Sequence, residues 1–449
     1  MAQDFVFIGP SLPKDEVRQV LPAATILPPV RHGDLLGLDP EPGDRVLIID
    51  GLFLQAAPVR HKEILMVLER GVTVAGSSSM GALRAAELWR YGMRGVGEVF
   101  RLYRDEVVTG DDEVAIIHCS AEEEYRALSE PLVSIRVVLR EAVRAGVLTE
   151  ADSASLLSIA QRIPFRSRSL RALDVQARQE MAADTVERFS AWARANGKDQ
   201  KAEDARLLLA MAAAGHPELR PAGDGDTPVT NTGTHLTRAW AQRFHGRQTA
   251  GHWVSDLDTT IVTMLLHPNY VAEHRQQVLA SIAGVPSDDP TAEARAVCAA
   301  SQRGIDREAL SLPAGWLAPW ESRLPVEEAT ARLLVRAFGT WPAHLLNSAC
   351  VPPAMTTPAH QAWARKAAAA AARCNSLMPT TTNEYGTVRR TFRAEAVDRH
   401  FAALWSCAVD ELEPAVWDRG LPGLAAFRRV AEPYIALLTL AGAPLPPET

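Results

Sequence analysis

Three consecutive serines, Ser77, Ser78 and Ser79, stand between a short apolar run, Val72 to Ala75, and a stretch of strong helix formers that begins at Met80. Apolar run, small turn residues and helix formers in that order read as strand, turn and helix, which places the hydroxyls at or just before an N-cap. The first amides of a helix lack intrahelical acceptors and carry partial positive charge, so such a turn suits a carboxylate-like anion or a developing oxyanion. Gly76 and Gly81 flank the serines, and Ser77, Ser79 and Gly81 follow a loosened nucleophile-elbow pattern with Ser in place of the first Gly. Plain N-capping accounts for one of these serines and leaves the other two unexplained.

Further polar residues fall near this turn. His61, Lys62 and Glu63 open the helix that precedes the serine strand; of three consecutive helical residues at most two share a face. Lys62 is the candidate of the three, as a base toward a serine or as a cation for an anionic substrate. Asp50 ends an apolar run, where a carboxylate orients a base or simply caps the Asp50-Gly51 turn. Arg84 and Glu87, at i and i+3 on the serine helix, are spaced to pair. The acidic triplet Asp111-Asp112-Glu113 offers oxygen ligands, but neighbours along a strand point to opposite faces, which argues against a shared cation. Cys119, Cys298, Cys350, Cys374 and Cys407 include no C-x-x-C pair and none stands at ligand spacing from a His, so reduced thiols and no metal are expected. In the second half Trp240, His245, Trp253 and Trp363 show no ligand spacing either and read as core.

The elements that position these residues follow from periodicity. Phe5 to Ile8, Ala24 to Leu27, Arg45 to Ile49 and Val72 to Ala75 are short apolar runs of the kind that parallel buried strands show. Between them lie helical stretches, Lys14 to Val20 and Pro58 to Arg70, so the prediction is an α/β N-terminal domain with a parallel, Rossmann-like sheet. Right-handed crossovers would bring Gly9-Pro10-Ser11, Asp50-Gly51 and Gly76 to Ser79 to one edge, where ligands of open α/β sheets bind. Asp112 to His118 reads as a further strand, Ala121 to Leu148 and Glu150 to Ile163 as helices, and Arg171 to about Ala214 as helical. Residues 1–215 thus form an α/β domain with a helical extension, 216–233 a Pro/Gly-rich linker, and 234–449 a mainly helical domain whose role the sequence does not disclose.

Composition removes several classes of function. The 449 residues, 47% apolar and 22% charged, describe a folded chain of more than one core. A net charge of −7 without a dense Lys/Arg tract excludes nucleic acid as the main ligand. No apolar run approaches the roughly 20 residues that span a bilayer, and Met1-Ala2-Gln3-Asp4 lacks the basic start of a signal peptide, so a cytoplasmic protein with no membrane contact is expected. Gly9-Pro10-Ser11-Leu12 is not G-x-G-x-x-G, and no G-x-x-x-x-G-K-[ST] loop occurs, so no nucleotide or other cofactor is expected.

Several segments taken in order carry a resemblance. They are Ile8-Gly9-Pro10-Ser11, Ile48-Ile49-Asp50-Gly51, His61-Lys62-Glu63-Ile64-Leu65, Ser78-Ser79-Met80-Gly81-Ala82-Leu83-Arg84-Ala85-Ala86-Glu87, Gly92-Met93-Arg94-Gly95-Val96-Gly97 and Asp111-Asp112-Glu113-Val114-Ala115. Pro131-Leu132-Val133 with Arg136 continues the series and Asp199-Gln200-Lys201-Ala202 closes it. Over roughly its first 210 residues the chain resembles the TfuA family, the accessory proteins of YcaO enzymes that make backbone thioamides on ribosomal peptides. The resemblance implies a YcaO-family partner and a ThiS-like, ubiquitin-fold sulfur carrier protein bearing a C-terminal thiocarboxylate, which the protein recruits and hydrolyses to deliver sulfide. A precursor peptide and self-association remain open as further partners.

Members of that family often carry a smaller residue where this chain has Ser77, which directs attention to Ser78 and Ser79. The implied site has Ser79, Ser78 and Lys62 as catalytic residues. Gly76, Ser77, Met80, Gly81, Asp50, His61 and Arg84 would bind substrate, with amides near Ser79, Met80 and Gly81 cradling the thiocarboxylate. Ser79, or else Ser78, would attack or position water. The same turn would equally serve a non-catalytic scaffold that docks the carrier onto the YcaO partner.

Overall fold

The computed structural model describes residues 2–53, 56–223, 225–230, 232–304, 316–383, 386–389 and 392–446. The chain divides into two compact units, Met1–Gly233 and Thr234–Thr449.

The N-terminal unit is built on five strands, β1 (Asp4–Phe7), β2 (Thr25–Leu27), β3 (Arg45–Ile48), β4 (Thr73–Ser77) and β5 (Arg94–Val96), paired in parallel in the order β2-β1-β3-β4-β5. Ile48 of β3 stands opposite Phe7 of β1 and Gly76 of β4, and Ser77 stands opposite Val96. This register brings the C-terminal ends of the three middle strands side by side. Both faces are covered, because alternate residues of each strand point to opposite sides and nearly all are apolar. Val6, Ile8, Leu47, Ile49 and Ala75 pack against α1 (Lys14–Val20) and α10 (Gln200–Ala213), chiefly through Val17, Ala205, Leu208 and Leu209. Phe7, Val46, Ile48 and Val74 pack on the other side with Ile64, Val67 and Leu68 of α3 (His61–Glu69) and with Ala82, Leu83 and Ala85 of α4 (Met80–Leu88). A short helix α2 (Asp34–Leu38) and α5 (Glu98–Arg104) complete this α/β body. The helices α6 (Leu132–Arg144), α7 (Glu150–Arg162), α8 (Leu170–Glu180) and α9 (Ala183–Asn196) share a core of their own around Leu139, Leu156, Ile159, Leu173 and Phe189.

Two readings need correction. Asp112 to His118 is not a strand: Asp111–Glu113 is a single 3-10 turn, and only His118 forms an isolated antiparallel bridge, to Ala127. Two residues of the triplet Asp111-Asp112-Glu113 face arginines, Glu113 buried against Arg136 at 2.6 Å and Asp112 meeting Arg168 at 3.3 Å, while Asp111 lines a cavity at the sheet edge. Ala121 to Leu148 is not one helix either, since α6 starts only after Pro131, whose ring suits the entry to a helix and not its interior. The edge strand β5 escaped notice because Arg94-Gly95-Val96 is short and carries a charge and a glycine.

Among the described residues the C-terminal unit is mainly helical, with helices at His235–Phe244, Asp256–Leu266, Tyr270–Ala283, Ala292–Gln302, Val326–Gly339, Pro358–Ser376 and Ala394–Leu404, then shorter ones to Leu440. The last two, Leu424–Ala431 and Ile435–Leu440, are separated by a 3-10 turn at Pro433. Two hairpins that periodicity does not reveal, Gly246–Thr249 with His252–Ser255 and Thr380–Asn383 with Gly386–Arg389, accompany the helices. The core gathers around Tyr270, Phe401, Phe427 and Ile435.

Candidate active site

Asp50 leaves β3 at the edge where the middle strands end, and it is 1% exposed. One carboxylate oxygen accepts the backbone N–H groups of Gly9 and Ser11, each at 2.9 Å, and the other accepts the Ser11 hydroxyl at 2.7 Å. Three donors from the turn after β1 thus hold the carboxylate, and through it the two strand ends. Lys201, in the first turn of α10, brings its Nζ to 4.0 Å from Asp50 and donates to the Val114 carbonyl at 3.3 Å. Lys201 is itself 2% exposed. Burial pushes the Lys201 ammonium below the ordinary lysine range, while Asp50 and Asp199 oppose that fall. An amine so placed holds its proton less firmly than an exposed lysine and, while charged, presents a poorly hydrated cation to an anion.

The serine turn sits beside this pair. Ser78 has a φ of +67°, a conformation a non-glycine residue adopts at a cost and that recurs at active sites. The sharp reversal lets β4 run straight into α4. Ser78 is fully buried and donates to the Ser11 hydroxyl at 2.8 Å, so a chain of hydrogen bonds runs from Ser78 through Ser11 to Asp50. Ser77 is also fully buried, with its hydroxyl unpartnered among the described residues. Ser79 is different: it is the N-cap of α4, its hydroxyl caps no amide, and it lines a cavity of about 320 Å³.

That cavity opens at the C-terminal edge of the sheet. Asp50, Gly51, Ser79, Met80, Lys201 and Pro10 form its floor, and the segment Val114 to His118 with Phe165 and Arg166 its wall. The amides of Ser79 and Gly81 both donate to the Ile49 carbonyl at 3.3 Å and are spent there. The amide of Met80, a lining residue, has no acceptor among the described residues, so the helix N-terminus keeps an open donor beside the cavity. Arg166 lies exposed at the rim, stacked over Phe165 at 5.7 Å. The chamber carries a hydroxyl, a helix N-terminus and two cations beside the carboxylates of Asp111 and of Asp50, the latter taken up by its own donors; the hydroxyl, helix terminus and cations suit an anionic acyl group.

Two glycines permit this construction. A Cβ on Gly81 would lie 1.7 Å from the Ile48 carbonyl oxygen, and one on Gly76 would lie 2.1 Å from the Gly81 carbonyl oxygen. Strand and helix backbones meet there with no room for a side chain, so Gly76 and Gly81 shape the turn and do not themselves touch the cavity.

Of the residues singled out in the sequence, Ser79, Met80 and Asp50 line the cavity, Ser78 lies beneath it and Ser77 is buried apart from it. Lys62 is exposed on α3 and is not among the lining residues. His61 and Arg84 both bind Glu87, at 2.8 Å and 2.6 Å, and Arg84 also donates to the Val59 carbonyl at 3.1 Å, which ties α4 to the start of α3 away from the chamber. Ser11, Lys201, His118 and Arg166 went unselected. Lys201 left a signal: with Ala205, Leu208 and Ala212 it occupies the apolar stripe of α10, where a lysine needs a reason.

Residues 50–169 match the family model of the TfuA-like protein. Over that segment the chain is similar to the TfuA-like family, a likeness that points to the TfuA/YcaO-associated system in general terms. The segment contains Asp50, the serine turn, His118 and Arg166; Ser11 and Lys201 lie outside it. No curated protein matches the chain. Among the described residues no helix is long and apolar enough to cross a membrane.

Proposed function

We propose that the N-terminal unit receives the C-terminal tail of a thiocarboxylated, ThiS-like sulfur carrier protein in this cavity and hydrolyses it, releasing hydrosulfide for a YcaO-family partner that thioamidates a ribosomal peptide. The observation that carries the reading is the Ser79 hydroxyl, which caps no amide of its helix and lines a chamber that also holds the buried Lys201–Asp50 pair. A thiocarboxylate is a poor electrophile because its negative charge is delocalised. The α4 N-terminus, Lys201 and Arg166 would neutralise that charge and polarise the carbonyl, which is the requirement for attack. Ser79 is the nucleophile or the holder of the attacking water. Ser78, committed to Ser11, supports the turn. Lys201 takes the cationic part considered for Lys62, because it lines the chamber and Lys62 does not.

Hydrosulfide release from a thiocarboxylated carrier tests this. Wild type should release it, Ser79→Ala should not, and Lys62→Ala should match wild type. Release by Ser79→Ala at the wild-type rate would remove that hydroxyl from the chemistry. Binding without release by wild type would reduce the chamber to a grip for a docked carrier.

A further inference from the structure

His118 lines the same cavity as Ser79 and Lys201. Its position is fixed by short strand-like pairing: Cys119 N–H donates to the Arg126 carbonyl at 2.9 Å, Leu128 N–H to the Ile117 carbonyl at 2.8 Å, and His118 bridges Ala127. Ile117 N–H further donates to the Ser129 hydroxyl at 2.8 Å, and Tyr125 packs edge-on against the imidazole with centroids 5.7 Å apart. The Nδ1 atom lies 2.7 Å from the Cys119 carbonyl oxygen. A carbonyl only accepts, so Nδ1 carries the proton and the neutral ring keeps its free lone pair on Nε2. The backbone here sets the tautomer as a carboxylate does in other acid–base histidines.

Thiocarboxylate chemistry creates a demand for such a group. Attack on the carbonyl carbon of a thiocarboxylate gives an intermediate that still bears an anionic sulfur, and breaking the C–S bond from there would expel the sulfide dianion, a far stronger base than hydrosulfide. The sulfur must gain a proton before or as the bond breaks. Ser79 and the α4 N-terminus serve the carbonyl and offer no net proton to the sulfur, and the Lys201 ammonium is engaged by Asp50 at 4.0 Å and by the Val114 carbonyl at 3.3 Å.

We propose that His118 is the acid–base residue that carries a proton from the attacking O–H to the departing sulfur; this rests on the hydrolytic reading above. Nε2 takes the proton as the oxygen bonds to the carbonyl carbon. Nε2–H then gives it to sulfur as the C–S electron pair moves onto sulfur, and hydrosulfide leaves. Over the whole hydrolysis one proton of the consumed water ends on sulfur and the other is released as the carboxylate forms, so no oxidant, reductant or further reactant is required.

The test compares two derivatives of one carrier, its C-terminal thiocarboxylate and a C-terminal thioester of a weakly basic aromatic thiol, which departs without protonation. His118→Gln, with His118→Asn as a second variant, should slow thiocarboxylate hydrolysis by about 10²- to 10⁴-fold. It should slow thioester hydrolysis less, so that the thioester-to-thiocarboxylate rate ratio rises by at least about tenfold. Partial unfolding lowers both rates together and leaves that ratio unchanged. An unchanged ratio, or unchanged rates, overturns the role of His118 while leaving hydrolysis at Ser79 in place. Wild type inactive on both derivatives overturns the hydrolytic reading itself.

Discussion

Asp50 and Lys201 make the firmest quantitative test of the site, because their roles are unequal. Asp50 holds three donors, two of them backbone amides, besides its ion pair. In Asp50→Asn an amide nitrogen must face either the Gly9 and Ser11 amides or the Ser11 hydroxyl and the lysine, and the Lys201 charge loses its partner. Leaving one member of a buried pair uncompensated costs about 3–5 kcal/mol. Lys201→Met removes a charge that burial already disfavours and leaves the three Asp50 donors in place, so its loss is chiefly that of the hydrogen bond to the Val114 carbonyl, about 1 kcal/mol. In the double variant no unpaired cation remains, so the two losses should fall short of additivity by about 1–3 kcal/mol. Urea unfolding read by hydrogen exchange in β1 and β3 isolates the N-terminal unit. The sign with pH follows too. Burial lowers the Lys201 affinity for its proton in the folded chain, so the folded state binds fewer protons than the unfolded one just below the ordinary lysine value of 10.5. Wild type should therefore gain stability relative to Lys201→Met as pH rises toward that value. An Asp50→Asn loss no larger than that of Lys201→Met, or strict additivity, would refute the account of the pair.

Three further outcomes are expected. Gly81→Ala should destabilise the N-terminal unit by about 3 kcal/mol or more in the same exchange measurement, because its Cβ meets the Ile48 carbonyl and backbone must move. Ser77→Ala should be neutral or stabilising by up to about 1 kcal/mol and leave sulfide release unchanged, since the buried Ser77 hydroxyl has no partner among the described residues. In the C-terminal unit burial pushes His274 down to about 4, with Asp418 opposing, so the unfolded state binds the extra proton between the ordinary histidine value of 6.5 and that point. Stability there should fall as pH drops through this window, by up to about 3 kcal/mol. His274→Gln should flatten the fall when exchange is followed in Tyr270–Ala283.

The order of strands and helices was legible because buried parallel strands are short and apolar and end at glycine, proline or aspartate, as Ile8-Gly9-Pro10 and Ile49-Asp50-Gly51 do. The same logic located the edge where Ser11, Asp50 and the serine turn converge. It did not extend to long-range approach. Lys201 meets Asp50 only because α10 returns to cover the sheet, and the Val114 to His118 wall is held by the bridge to Ala127 and has no periodicity of its own. Lys62 drew attention by closeness in sequence to the serine strand, yet α3 carries it on its exposed side while Ile64, Val67 and Leu68 face the core. The serines were indistinguishable as letters. One positive φ at Ser78 separates them, turning its hydroxyl inward to Ser11 and leaving that of Ser79 in the cavity.

The most direct test of the central claim is the intact mass of a thiocarboxylated ubiquitin-fold carrier after incubation with the full chain, wild type beside Ser79→Ala and Lys201→Met. The account predicts conversion of thiocarboxylate to carboxylate by wild type and persistence of the thiocarboxylate with either variant. A carrier left intact by wild type, or converted equally by all three, would contradict a hydrolytic site in this chamber.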